Sequence, residues 1–113
     1  MLNKEELKLV KHYIYLPLLR KVLEYDNQKI KETNLKFTAP YLLLIEKTIN
    51  QVSLDLGKVK KEMLRKGITV YNQGKGDNVC KYLIVCRGYR ENMNLFPHLM
   101  KNEVLEYMEQ YLS

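Results

Sequence analysis

The sequence predicts an α+β domain, mostly helical: a long central helix with N-terminal helices, one antiparallel β-hairpin and a C-terminal helix. Three observations carry that expectation. Leu42, Ile45, Ile49, Val52, Leu56, Val59 and Met63 recur at alternating spacings of three and four residues, which is a heptad seam. Just past Gly67 the composition turns to β-formers, in Ile68 to Tyr71 and again in Val79 to Cys86. Both end segments carry apolar residues at helical spacing. At 113 residues the chain suits one domain, 1–113, and is short for two.

The N-terminal segment, 1–34, opens with Asn3 followed three residues later by Glu6, the spacing of an N-cap and its capping-box partner. Leu7, Val10 and Ile14 continue the pattern until Pro17. A proline inside a helix loses a hydrogen bond and crowds the preceding turn, so Pro17 is expected to end one helix and open a second. Leu19, Val22, Leu23 and Ile30 carry the second apolar stripe. The segment from Asn34 to Phe37 reads as a connection.

For the long helix, 38–66, Thr38 is the expected N-cap, Pro40 suits the first turn and Gly67 is the expected stop. At 1.5 Å per residue, a helix from 39 to 66 would be roughly 42 Å long. Its seam must therefore meet either the N-terminal helices, as a helical hairpin, or a second copy as a dimer interface. Gly57 inside it costs about 1 kcal/mol relative to Ala and is expected to mark a close crossing or a bend.

Residues 68–87 read as the β-hairpin, with Asn72 to Asn78 as its polar, glycine-bearing tip. In its second strand Cys80, Tyr82, Ile84 and Cys86 share the face expected to pack on helices, and Lys81, Leu83, Val85 and Arg87 share the other. Two strands alone are marginal in water and need such backing. The last element, 94–112, is expected to be capped by Asn94. Met100, Val104, Tyr107, Met108 and Tyr111 lie on its inner face, and Glu103, Glu106 and Glu109 on the other.

The formal charge of +6 is unevenly placed. Residues 1–34 carry +2, 35–67 carry +4, 68–90 carry +3 and 91–113 carry −3. The cations Lys58, Lys60, Lys61, Arg65 and Lys66 end the long helix. Lys75, Lys81, Arg87 and Arg90 follow in and after the hairpin, beside Tyr89. A basic helix end followed directly by a basic-tipped hairpin resembles the general layout of a winged-helix DNA-binding domain. That resemblance spans residues 17–90 and implies that the lysines contact phosphates with salt-dependent affinity. The same cations also complement the negative end of their own helix. Lys58, Lys61, Arg65, Lys66, Lys75, Lys81, Arg87 and Arg90 are the candidate nucleic-acid contacts.

Other chemistry is sparse. Cys80 and Cys86 stand about 20 Å apart along one extended strand, beyond disulfide reach, and read as buried thiols of a reducing compartment. No spacing of His12, His98 and the cysteines matches a metal site or a nucleophile–base signature, so no catalytic, metal or cofactor residue is assigned. Gly74-Lys75-Gly76-Asp77 joins two strands instead of opening a helix, so it is a turn and not a phosphate loop. No apolar run is long enough for a membrane span, and the start of the chain is acidic where a signal peptide is basic. The expectation is a small non-enzymatic cytoplasmic binding or regulatory protein, whose partner is nucleic acid or another polyanion. The competing expectation is a protein–protein or homodimer module using Leu42, Ile45, Ile49, Val52, Leu56, Val59 and Met63 together with the acidic last helix.

Overall fold

The computed structural model describes residues 2–34 and 36–113. Three helices and a three-stranded sheet form an α+β fold, in the order α1 (Lys4–Lys31), α2 (Ala39–Lys66), β1 (Ile68–Gly76), β2 (Val79–Cys86), β3 (Tyr89–Leu95) and α3 (Pro97–Leu112).

Helix α1 runs unbroken through Pro17, against the expected division into two helices. The reason lies on its inner face. Val10, Ile14, Leu16, Leu19 and Leu23, before and after the proline, are all buried in one core. An interior proline costs about 3 kcal/mol. Each buried aliphatic side chain is worth roughly 1.5–3 kcal/mol, so a break that turned Leu19 and Leu23 away would cost more than the proline does. The expected N-terminal cap is present in full. Asn3 Oδ1 accepts from the Glu6 amide at 2.8 Å, and Glu6 Oε1 accepts from the Asn3 amide at 3.1 Å.

Helix α2 returns antiparallel to α1 and spends its seam on it. Ile45, Val52, Leu56, Val59 and Met63 are buried within the chain, and Leu42 and Ile49 are half-buried. Thr38 precedes the helix but makes no side-chain cap, whereas Gly67 ends it as expected in the left-handed region (φ +69). A methyl group at Gly57 would meet nothing within 4 Å, so no close crossing explains this glycine.

Beyond Gly67 the sheet is an antiparallel meander in the order β1-β2-β3, one strand more than the hairpin expected from the sequence. Its tip is tighter than the expected loop over 72–78. Strand β1 extends to Gly76 through a bulge between Asn72 and Lys75, and the turn is Asp77-Asn78, both left-handed (φ +48 and +61). A second two-residue turn, Arg87-Gly88 (φ +48 and +89), leads into β3. Left-handed pairs of this kind match the twist of the flanking strands. Cys80, Tyr82, Ile84 and Cys86 face the helices as expected, with Tyr82, Ile84 and Cys86 buried. Asn94 belongs to β3, opposite Lys81, so it does not cap α3; Phe96 precedes that helix and Pro97 is its first residue.

Candidate anion-binding site

Several nominated cations are held by the protein itself. Glu6, only 3% exposed, receives Arg87 Nη1 at 2.7 Å on Oε2. The same guanidinium donates to the Lys66 carbonyl at 2.9 Å, and the Arg87 amide donates to the Gly67 carbonyl at 3.1 Å. The Arg87 hydrogen bond, with the Asn3 amide and the Lys66 charge, holds the Glu6 carboxyl down at about 2, despite the opposing effect of burial. Cys86 Sγ approaches the same carboxylate at 3.8 Å. Lys66 lies 3.8 Å from Glu5, and Arg65 forks onto Glu62. The basic end of α2 and the β2–β3 turn are thus clamped onto the acidic first turn of α1. The helix dipoles favour the same placement, acids in the first turn of α1 and bases in the last turn of α2.

The remaining nominated residues diverge. At about 100° per residue, Lys58, Lys60 and Lys61 point to different sides of α2. Lys75 and Lys81 sit at the hairpin end of the sheet, where the Lys81 ammonium lies beside Gly76. Lys81 and Arg90 share the outer sheet face with exposed Tyr71. None of Lys58, Lys61, Lys75, Lys81 and Arg90 has an ion-pair partner among the described residues.

One surface gathers cations instead of spreading them. A depression of about 450 Å³ opens between α1, α2 and the β1–β2 side of the sheet. Arg20 and Lys21 of α1 and Lys60 of α2 line it, with Tyr13, Asn72 and Tyr82, over apolar walls that include Pro17, Leu18, Leu56 and Val70. No acidic residue is among its lining. Arg20 is steadied by Ser53 Oγ (3.4 Å) and by Glu24 (4.0 Å), while Lys21 and Lys60 have no ion-pair partner among the described residues. Burial pushes the Tyr82 phenol above its ordinary pKa. A helix break at Pro17 would separate Arg20 and Lys21 from Tyr13, and only the unbroken α1 brings them together. In a continuous helix, Tyr13, Pro17, Arg20 and Lys21 fall at i, i+4, i+7 and i+8, which is one face.

A second polar cluster joins α3 to the helical hairpin. Tyr111 donates to Asp55 Oδ2 at 2.6 Å, and His12 meets the Tyr107 ring edge-on at 5.4 Å between centroids. Burial, with the nearby Lys8 ammonium, lowers the His12 pKa against the pull of Asp55. Burial raises Tyr15 and Tyr107 to about 12. Among the described residues no group of three or more His, Cys, Asp and Glu side chains could hold a metal ion. Cys86 lines a shallow depression of about 200 Å³ with Tyr89 and Arg90. It pairs with Tyr89 at one end of β3, and His98 follows the other end, about 20 Å away. No helix among the described residues is long and apolar enough to cross a membrane.

The chain is similar to a Bacillus subtilis (strain 168) protein described as "Uncharacterized protein YhjD". The two are 28% identical over 111 residues, which cover 98% of this chain and 92% of that protein. No solved structure is significantly similar to the chain. The profile of the YhjD protein family matches residues 1–113, and the chain belongs to that family.

Proposed function

We propose that this is a small non-enzymatic protein that binds nucleic acid through the basic depression between α1, α2 and the sheet. The observation that supports this reading is the convergence of Arg20, Lys21 and Lys60 on a concave surface with no acid in its lining. A cluster of cations, of which Lys21 and Lys60 have no ion-pair partner among the described residues, favours a polyanion, because neutralising its phosphates releases condensed counterions. Lys75, which pairs with inward-facing Cys80, continues the positive charge along the hairpin beyond Asn72. Arg65, Lys66 and Arg87 fall out of the contact set, since their charges are already met by Glu62, Glu5 and Glu6. Two free thiols, Cys80 and Cys86, are in keeping with a cytoplasmic setting.

The test is fluorescence anisotropy with a labelled oligonucleotide across a salt series. Three phosphate contacts correspond to a slope of roughly −2 to −3 in log K against log salt. The triple variant R20E/K21E/K60E should lose at least tenfold in affinity and flatten the slope. Unchanged affinity in that variant, with its fold intact, refutes the reading.

A second reading, a protein–protein module, is supported by apolar side chains at the loop end of the helical hairpin. Tyr25, Phe37, Tyr41 and Leu44 are all exposed there. A concentration-dependent dimer that Tyr41→Asp dissociates would favour it. A monomer at all concentrations by analytical ultracentrifugation counts against its self-associating form.

A further inference from the structure

The lining of the basic depression is not uniformly polar, and that mixture narrows the ligand. Resting on the nucleic-acid reading above, we propose that the depression seats one unpaired nucleotide of a single strand. Lys21, Lys60 and Arg20 hold its phosphate and the ring of Tyr13 receives its base.

A duplex presents phosphates to a protein and keeps both faces of each base inside its own stack. Cations alone would serve such a ligand. Here the same concavity also offers Tyr13, Pro17 and Leu18, apolar surface with no use against a phosphate backbone. An unpaired base supplies what that surface lacks, a flat apolar face that stacks on an aromatic ring whatever the base identity. Tyr13 is suited to the task because it is half-buried, anchored by packing on the core cluster while part of it remains open. The volume, about 450 Å³, falls in the range of roughly 300–1,000 Å³ typical of sites that enclose a small molecule. Asn72 and Tyr82 bring polar atoms to the same space. None of the side-chain hydrogen bonds among the described residues engages Tyr13, Tyr82, Lys21 or Lys60. Their donors are therefore not committed elsewhere in the protein.

The experiment compares the full chain on two labelled probes at one salt concentration, dT10 and a ten-base-pair duplex. The wild type, Tyr13→Leu and Tyr13→Phe are each titrated, with thermal melts to confirm that the variants fold. Removing one stacking ring costs roughly 5- to 150-fold in single-strand affinity. The expected result has dT10 bound at least tenfold more tightly than the duplex. Tyr13→Leu should lose about tenfold on dT10 and nothing on the duplex, while Tyr13→Phe retains wild-type affinity. Equal binding of the two probes with a silent Tyr13→Leu overturns the nucleotide seat and leaves the charged surface standing. No binding of either probe at low salt overturns both.

Discussion

Arg87, in the turn between β2 and β3, places Nη1 2.7 Å from Oε2 of Glu6, the carboxylate that also closes the capping box of α1. One ion pair thereby ties the start of the first helix to the β2–β3 turn, across 81 positions of sequence. Arg87 also donates to the carbonyl of Lys66, so the last turn of α2 joins the same junction. A buried carboxylate requires such partners, because an unpaired charge removed from water is costly.

Acid stability should report this pair directly. The Glu6 carboxyl is lowered from 4.5 to about 2, so the charged form is favoured by folding. Its contribution is full above the unfolded value and is lost as pH falls through about 2. Wild-type stability should therefore decline between about pH 4.5 and 2. Glu6→Gln should be less stable at pH 7, with a flatter profile that converges on the wild type near pH 2. Parallel profiles from chemical denaturation at several pH values would show that Glu6 is not the titrating group.

The backbone at Arg87 carries its own cost. Its φ of +48 is left-handed, which disfavours any residue with a Cβ. Arg87→Ala and Arg87→Gly both remove the guanidinium, but only the glycine relieves the backbone. Arg87→Gly is expected to be about 1 kcal/mol more stable than Arg87→Ala by urea denaturation. Equal stabilities would mean that the turn relaxes freely in the variants.

The seam of α2 makes a sharp contrast two residues apart. Leu56 is 3% exposed against α1, whereas Leu54 is 64% exposed. Leu56→Ala should destabilise by about 2–5 kcal/mol, and Leu54→Ala should stay within about 0.5 kcal/mol. If a homodimer buried the outer face of α2, Leu54→Ala would instead lower the melting temperature in a concentration-dependent way.

Periodicity was the legible part of this chain. The seam from Leu42 to Met63 and the inward face Cys80-Tyr82-Ile84-Cys86 follow from the spacing of apolar side chains, and the stop at Gly67 from glycine's ease in the left-handed region. Local rules failed where tertiary packing overrode them. Pro17 forbids a helix locally, yet the core needs Leu19 and Leu23 in line with Val10 and Ile14. Strand β3 hid behind Asn92, Asn94 and Glu91, poor strand formers, although Met93 and Leu95 alternate with the asparagines. The turn before it is Arg87-Gly88, whose first residue is left-handed without being glycine and pairs with Glu6, a partner no local pattern announces. The site suffered from the same error. Once α1 is split at Pro17, Tyr13 and Arg20 no longer share a face. The charge total suggested a polyanion, but charge alone did not reveal that Lys66 and Arg87 are spent on Glu5 and Glu6 while Lys21 and Lys60 are not.

The docking of α3 should depend on a phenol. Tyr111 donates to Asp55 Oδ2 at 2.6 Å, and Asp55 Oδ1 accepts from Gln51 Nε2 at 3.0 Å. Burial first, then the hydrogen bond to Asp55 and the charge of that carboxylate, push the Tyr111 pKa well above that of a free phenol. Folding thus favours the neutral form. That stabilisation is whole below the unfolded value near 10 and falls away as pH rises toward the folded one. Tyr111→Phe keeps the ring and loses the donor, leaving Asp55 short of one partner in a half-buried site. It should cost about 1–2 kcal/mol at pH 7, measured by urea denaturation. The penalty should shrink above pH 10, where the wild type loses the same contribution. A penalty that persists unchanged at pH 11 would show that the hydroxyl acts through packing and not through its proton.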